Sequence, residues 1–200
     1  MFKKFISSQF RKPRGLFGLV TSNWMIKGNC RNYEILLKEL NIQPGNKILE
    51  IGYGPGVGIE LIAAQCNSCV IHGIDFSNLM YKRATERNKK YIEVHKVKLF
   101  LGDFVETKID SSDYDKIFCI NVVYFWNNLQ KPFEKIRALL NKNGTFCIYM
   151  AHRDFLKKLN PDDTIFNKYS IEQVIDALKL AGFDKVEYYF DKGYYVKAVK

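Results

Sequence analysis

A glycine-rich loop is the part of this sequence best suited to binding a ligand. The apolar run at 48–51 carries one acid, and three glycines at alternate positions follow it directly. Glycines after a buried strand let the chain turn sharply and let a ligand approach the backbone. The loop therefore predicts a nucleotide site, and a tight strand–helix turn without a ligand is the alternative. The candidate residues are Glu50, Gly52, Tyr53, Gly54 and Gly56.

The spacing of the loop and a following acid narrow the choice of nucleotide. Val57 stands where the dinucleotide fingerprint G-x-G-x-x-G has its third glycine, so the spacing here is G-x-G-x-G. Asp75 closes the next apolar run, about 20 residues further on, where an acid accepts hydrogen bonds from ribose hydroxyls. A carboxylate there would repel a 2′-phosphate, which favours an adenosine ligand over NADP. The alternative is that Asp75 only caps a helix.

Alternating apolar strands and amphipathic helices after residue 45 must position this loop. That order is typical of a parallel sheet with helices on both faces, and the apolar run at 117–120 fits a strand buried on both sides. Asp191-Lys192-Gly193 predicts a hairpin turn, so the last two strands are expected to be antiparallel. The predicted strands are 47–51, 68–74, 97–101, 114–121, 145–150, 185–190 and 194–199. The predicted helices are 30–41, 59–64, 77–90, 131–140 and 171–181.

Over roughly residues 30–200 the chain resembles the class I S-adenosylmethionine (SAM)-dependent methyltransferases of the small-molecule type. The resemblance rests on Glu50 with its glycine loop, on Asp75, on Gly102-Asp103-Phe104, and on Asn121 after the fourth strand. It implies an α/β, Rossmann-like, doubly wound and mostly parallel seven-stranded sheet, with an antiparallel C-terminal hairpin and an N-terminal helical cap. It also implies one domain over 1–200, with a basic cap over 1–41 and a SAM-binding core over 45–200.

The same resemblance assigns roles around SAM. The glycine loop would lie against the methionine part, Asp75 would bind the ribose, and Met80 would pack on the adenine. Asp103 would accept the adenine amino hydrogen, and Asn121 would face the methionine end. The remaining cofactor positions are Phe76, Gly102, Phe104, Gly28 and Asn29.

Three residues are candidates for the acceptor side. Tyr124 and Trp126 follow the fourth strand at the sheet edge where α/β proteins bind ligands, and they could wall a pocket or simply pack in the core. His152 follows the fifth strand and is a candidate base for a hydroxyl or thiol, or a surface histidine. The pattern at 121–124 resembles the amino-methyltransferase motif N-P-P-Y without its prolines, which argues against adenine or glutamine as the acceptor.

The N-terminal segment is basic and rich in large apolar residues. Seven cations precede the first acid, Glu34, namely Lys3, Lys4, Arg11, Lys12, Arg14, Lys27 and Arg31. In related methyltransferases such a segment folds over the cofactor as a lid, which would place Trp24, Met25, Gly28 and Asn29 near SAM or the acceptor. A membrane-surface contact, an RNA contact and a solvated surface are the alternatives. Residues 1–20 are predicted to be irregular or a basic helix, with Pro13, Gly15 and Gly18 interrupting any long pattern.

Composition is that of a folded protein, with 47% hydrophobic and 26% charged residues and a net charge of +10. No apolar run approaches the roughly 20 residues of a membrane span, and no signal peptide is recognisable. Five cysteines are an odd number, which predicts reduced thiols and a cytoplasmic location. Cys66 and Cys69 form a C-x-x-C without a second ligand pair, so neither a metal site nor a redox site is expected.

We therefore expect a methyltransferase that passes the SAM methyl group to a small molecule by in-line displacement. An RNA or protein methyltransferase using the basic head is the alternative. A non-enzymatic nucleotide-binding module would not need both acids, and an NAD oxidoreductase is disfavoured by the loop spacing. A small-molecule substrate is the expected partner, nucleic acid is not favoured, and no obligate protein partner is inferred.

Overall fold

A seven-stranded sheet organises the computed structural model, which describes residues 2–159 and 161–200. The strand order is β3-β2-β1-β4-β5-β7-β6, with β7 antiparallel to both β5 and β6 and the other pairs parallel. This confirms the predicted Rossmann-like fold with its closing hairpin. The strands are β1 Lys47–Ile51, β2 Val70–Asp75, β3 Val97–Leu101, β4 Tyr114–Ile120, β5 Leu140–Ala151, β6 Lys185–Phe190 and β7 Gly193–Val199.

Helices cover both faces of the sheet, and the first two helices form the N-terminal cap. They are α1 Phe2–Arg11, α2 Gly15–Leu40, α3 Val57–Gln65, α4 Asn78–Arg87, α5 Lys89–Glu93, α6 Gln130–Leu139, α7 Arg153–Leu159 and α8 Ile171–Leu180. Two apolar clusters lie on opposite sides of β4, because Ile117 and Cys119 point into one and Phe118 and Ile120 into the other. The run at 117–120 is apolar throughout because the strand is buried on both faces.

The N-terminal helices differ from the sequence prediction. Residues 2–11 form a basic helix and the chain breaks at 12–14, as predicted, but α2 then runs unbroken through Gly18, which was expected to interrupt it. A Cβ at Gly18 would lie 2.8 Å from Leu79 Cδ2 and 2.8 Å from the Pro13 carbonyl carbon. Gly18 is therefore needed for close packing, and it does not break the helix. Gly28 also lies inside α2.

Two further boundaries move because side chains and strand pairing override local pattern. The helix predicted over 77–90 divides at Asn88, whose buried amide donates hydrogen bonds to the carbonyl oxygens of Ala84 and Gly56. Strand β5 begins at Leu140, which pairs with Tyr114 before an irregularity in the register. The helix before it ends at Leu139, one residue earlier than predicted. Helix α7 was not predicted.

One pair of cysteines differs from the sequence prediction. Cys66 and Cys69 form a disulfide between α3 and β2, so the prediction of reduced thiols is wrong for this pair. The C-x-x-C spacing brings the two sulfurs together because the turn between the elements is tight. Cys119 and Cys147 are free and buried, and Cys30 is free and exposed.

Hydrogen bonds join the cap to the sheet. The Tyr33 hydroxyl of α2 donates to Glu50 Oε1 of β1 at 2.9 Å, and both residues are buried. Burial holds the pKa of Glu50 well above its usual value. The Ser7 hydroxyl of α1 accepts from the Asp162 amide at 2.8 Å.

Over the described residues no helix is long and apolar enough to cross a membrane.

Replacing Tyr33 by Phe should lower the free energy of unfolding by about 1–3 kcal/mol, because a buried Glu50 oxygen loses its donor. Urea denaturation followed by circular dichroism measures this. Tyr91→Phe is the matched control, since the Tyr91 hydroxyl makes no hydrogen bond with the described residues. Equal stability of the two variants would contradict a structural role for the Tyr33–Glu50 bond.

Candidate active site

A large cavity lies at the carboxyl ends of the parallel strands, beneath α1 and α2. Its volume is about 1160 Å³, above the roughly 300–1,000 Å³ of ordinary small-molecule sites. The strand order reverses between β1 and β4, which is the point where α/β sheets open a crevice for ligands. The cavity therefore has room for two molecules side by side, one on each side of this reversal.

The glycine loop forms the floor of the cavity below β1. Gly52 and Gly54 have φ values of +72° and +51° and both line the cavity. The Gly52 amide donates to the Ile74 carbonyl at 2.7 Å, and a Cβ at Gly52 would lie 2.5 Å from Val122 Cγ2. Both the left-handed backbone and this close approach require glycine at position 52.

Asp75 connects the loop to the next strand and helix. One carboxylate oxygen accepts from the Gly54 amide and the other from the Ser77 amide, each at 2.9 Å. Burial raises the pKa of Asp75 to about 6, although the two amide donors and Lys12 lower it in part. The carboxylate lines the cavity, so its lone pairs that are not used by the loop are available to a ligand's hydroxyl groups.

The end of β3 completes this side of the cavity. The Gly102 amide donates to the Asp75 carbonyl at 2.9 Å, which holds β3 beside β2. Asp103 Oδ1 accepts from the Val105 amide at 2.8 Å, and Asp103 remains exposed at the cavity wall. Buried Met80 supplies an apolar surface, as do Phe76 and Phe104. An apolar surface with an acid at its edge suits an aromatic ring that carries an amino group.

Asn121 joins the cap to the end of β4. Its backbone is left-handed, with φ +57°. Its side-chain amide donates to Asn29 Oδ1 of α2 at 3.0 Å. Its side-chain oxygen accepts from the Tyr124 hydroxyl at 3.1 Å and from the Ala151 amide at 3.2 Å. Gly28, Asn29 and Asn121 all line the cavity, and the Asn29–Asn121 hydrogen bond brings α2 beside the end of β4.

Tyr124 lines the cavity, but its hydroxyl is held by the protein. The hydroxyl contacts the Asn121 side chain and the Ala151 amide closely. Burial raises the pKa of Tyr124 well above its usual value, so the group stays neutral near pH 7. A neutral, hydrogen-bonded phenol is a poor base. Its geometry instead orients the Asn121 amide.

Aromatic and aliphatic side chains form the second part of the cavity, which we call the aromatic wall. Phe166 stacks on Tyr124 with ring centroids 6.0 Å apart and meets Phe125 edge-on at 4.8 Å. The four wall residues that lie in α7 and the segment after it were not predicted, because that part of the chain carries no motif. The wall consists of Tyr124, Phe125, Trp126, Ala151, Phe155, Leu156, Pro161 and Phe166.

Four predicted site residues do not line the cavity. Glu50 lies behind the loop, bonded to Tyr33, and the Tyr53 hydroxyl donates to the Phe100 carbonyl at 3.2 Å. Gly56 is the N-cap of α3, and a Cβ there would lie 2.6 Å from Asn88 Nδ2. His152 packs against Phe190, with ring centroids 5.3 Å apart, and so turns away from the place where a base was predicted. Glu50, Tyr53 and Gly56 support the glycine loop from the side opposite the cavity.

Comparison with known proteins identifies methyltransferases among the relatives of this chain. The family profile described as "Methyltransferase domain" matches residues 48–144. An uncharacterized methyltransferase of Bacillus subtilis, YdaC, is 30% identical over 154 residues, covering 77% of this chain and 80% of the relative. A sterol 24-C-methyltransferase of Candida albicans is 25% identical over 178 residues, covering 82% of this chain and 46% of the relative. The chain thus spans less than half the length of that sterol enzyme.

Solved structures share the fold. Phosphoethanolamine N-methyltransferase 2 of Haemonchus contortus, in complex with SAM, superposes with a TM-score of 0.77 at 18% identity, covering 100% of this chain and 60% of that one. A SAM-dependent methyltransferase from Aquifex aeolicus gives a TM-score of 0.70 at 21% identity, covering 84% and 89%.

Gly52→Ala should lower the free energy of unfolding by about 2–4 kcal/mol, from the left-handed backbone and the overlap with Val122. Adding Val122→Ala should recover the part due to overlap and leave about 1–2 kcal/mol. Urea denaturation measures both.

Gly28→Ala is the matched control for this prediction. A Cβ at Gly28 has no neighbour within 4 Å, and Gly28 lies inside α2. Alanine there should stabilise the protein by up to about 1 kcal/mol. If Gly52→Ala behaves like Gly28→Ala, the loop does not need glycine.

Proposed function

Because the chain belongs to the class I SAM-dependent methyltransferases, we propose that it methylates a small, largely apolar molecule held against the aromatic wall. One observation supports this most directly. The part of the cavity beside β1, β2 and β3, which we call the polar part, carries the glycine loop and the carboxylates of Asp75 and Asp103 as well as apolar side chains, whereas the part beside β4 and β5 is the aromatic wall. Asn121 lies between them at the end of β4. Such a division suits a cofactor and an acceptor that face each other across the end of β4.

The polar part fits SAM. Asp75 would accept hydrogen bonds from the ribose hydroxyls, and the backbone of Gly52 and Gly54 would lie along the methionine part. Met80 and Phe104 would pack on the adenine, with Asp103 accepting from its amino group. The position of all these residues in the cavity lining supports this assignment.

SAM supplies a methyl group already activated by its sulfonium. The protein's task is then to align the acceptor with that methyl and to keep water away. The aromatic wall excludes water, and Trp126 lies beside Phe104 with ring centroids 6.2 Å apart, so the two parts are continuous. Tyr124 fixes Asn121 through its hydroxyl and thereby orients the amide at the boundary.

The lining of the cavity favours a small molecule over RNA or protein as the acceptor. A nucleobase or peptide side chain would enter from a polar chain and leave most of the apolar wall unused. The basic residues Lys3 and Arg11 do line the cavity, so an acidic group on the acceptor would find cations near α1. The decisive test is methyl transfer from labelled SAM to apolar alcohols, amines and acids, with RNA and protein extracts assayed in parallel. Labelling of RNA or protein alone would overturn the proposal.

SAM affinity should depend on the ionisation of Asp75. Its pKa is about 6, and ribose hydroxyls donate to the carboxylate, so affinity should be full above pH 7 and fall about tenfold by pH 5. The stability of the ligand-free protein should change in the opposite sense, decreasing as the pH rises from about 4 to 6, because the buried acid then ionises. Calorimetric titration and urea denaturation across this range measure the two trends.

Asp75→Asn should remove the pH dependence of affinity and weaken SAM binding by about 1–3 kcal/mol. It should reduce the pH dependence of stability without abolishing it, because the buried Glu50 also ionises as the pH rises. Asp110→Asn is the control, since Asp110 is exposed and does not line the cavity. A pH dependence of affinity that persists in Asp75→Asn would show that another group is responsible.

Leu156→Trp should fill part of the aromatic wall without reaching the cofactor side. We expect SAM affinity within about twofold of the native protein, but at least a tenfold loss of kcat/KM for the acceptor, since a misplaced acceptor reacts slowly. Leu156→Met, which preserves volume, is the control. Loss of SAM binding in a folded Leu156→Trp variant would contradict the assignment of the aromatic wall to the acceptor.

A further inference from the structure

We propose that α1 and the first half of α2 dock onto the surface of an anionic phospholipid bilayer, with the mouth of the cavity facing the lipid. The docking itself does not depend on the proposed acceptor. It concerns a face of the cap that the binding of SAM leaves unexplained.

A stripe of large apolar side chains lies on the outer side of α2. Leu16 is 81%, Phe17 64%, Val20 54% and Trp24 67% exposed. At about 100° per residue these four positions fall within roughly one quarter to one third of the helix circumference. The opposite side of α2 carries the buried residues Gly18, Ser22, Tyr33, Leu36 and Leu40. Helix α2 therefore has a buried side and, opposite to it, an exposed apolar side directed away from the protein.

Helix α1 extends this stripe. Phe5 and Ile6 are 40% and 41% exposed, and the Phe5 ring meets the Phe17 ring edge-on with centroids 5.5 Å apart. The exposed apolar residues are thus contiguous across two helices, whereas singly scattered ones would need no explanation. We call this surface the docking face. It consists of Phe5, Ile6, Leu16, Phe17, Val20 and Trp24.

The charge around the docking face identifies its occupant. Seven cations and no acid precede Glu34 in the sequence. Lys27 continues the stripe of α2 one turn beyond Trp24 and is exposed, and Lys4 is exposed on α1. Apolar residues that enter the interface, with lysines and arginines around them, are the combination that binds anionic bilayers. RNA would satisfy the cations but would leave the apolar stripe in water.

The docking face is continuous with the cavity. Ile6 and Trp24 are exposed and also line the cavity, so its mouth opens beside the stripe. A molecule dissolved in the bilayer could reach the aromatic wall without crossing water. This last step rests on the proposed function, because it assumes an apolar acceptor.

Sedimentation with vesicles tests the docking. The full chain should bind vesicles of phosphatidylcholine with about 30 mol% phosphatidylglycerol, and bind pure phosphatidylcholine vesicles at least tenfold more weakly. Binding should weaken as salt is raised from about 0.05 to 0.5 M, because exposed charges are screened.

Two pairs of substitutions separate the contributions. Leu16→Ser with Phe17→Ser should reduce binding to the anionic vesicles at least tenfold, and Lys4→Glu with Lys27→Glu should do the same. None of these four residues lines the cavity, so SAM affinity and the thermal midpoint should stay close to native. Leu180→Ser with Lys179→Glu, an exposed apolar residue and a neighbouring exposed lysine of α8, is the matched control and should bind vesicles like the native chain.

Fluorescence supplies a second measurement. The chain has two tryptophans, and Trp126 is 8% exposed while Trp24 is 67% exposed. Anionic vesicles should shift the emission to shorter wavelength, and Trp24→Phe should abolish the shift while retaining binding. The shift would locate the contact at the docking face even if a substitution elsewhere weakened folding.

Three results would overturn the proposal. The first is no binding to anionic vesicles at low salt. The second is vesicle binding that Leu16→Ser with Phe17→Ser leaves unchanged, as the α8 control does. A random RNA oligonucleotide that displaces the vesicles from such a variant would point to RNA as the occupant. The third is a dimer in solution that only Leu16→Ser with Phe17→Ser dissociates, since a second copy would then cover the face. Vesicle binding without any methylation of apolar acceptors would leave docking intact and refute the proposed function alone.

Discussion

The buried carboxylate of Asp75 is the point on which the site depends. It accepts the amides of Gly54 and Ser77, so it fixes both the glycine loop and the start of α4. The Ser77 hydroxyl in turn donates to the Pro13 carbonyl at 3.1 Å, which attaches the turn between α1 and α2. The carboxylate organises the loop, the helix and the cap from one position, and its burial accounts for its raised pKa.

The features that could be predicted from the sequence are those set by neighbouring residues. The alternation of strands and helices gave the sheet, and the hairpin at 191–193 was visible in its turn residues. Gly52, Gly54 and Asp75 were recognisable because a tight turn and a strand end impose residue types locally. Asn121 and Asn29 were assigned to the site through family resemblance, and their hydrogen bond joins α2 to the end of β4.

The features that could not be predicted depend on distant partners. Gly18 resembles a helix breaker until Leu79 and Pro13 are seen against it. Leu156 and Phe166 belong to the cavity only because the chain after β5 returns over the sheet, and nothing local marks them. His152 follows a strand on the ligand side, yet packing against Phe190 directs its ring elsewhere. In each case tertiary contacts decide what the local pattern leaves open.

The Asn121 side chain joins closure of the cap to occupancy of the site. One N–H of its amide donates to Asn29 of the cap, and its oxygen is occupied by Tyr124 and Ala151. An amide carries two N–H groups, so the second can donate to a ligand while the first holds Asn29. The cap and such a ligand then hold one side chain in the same orientation. A docked cap should therefore strengthen the ligand's hold, and thermodynamic reciprocity requires the ligand to strengthen the cap by the same factor.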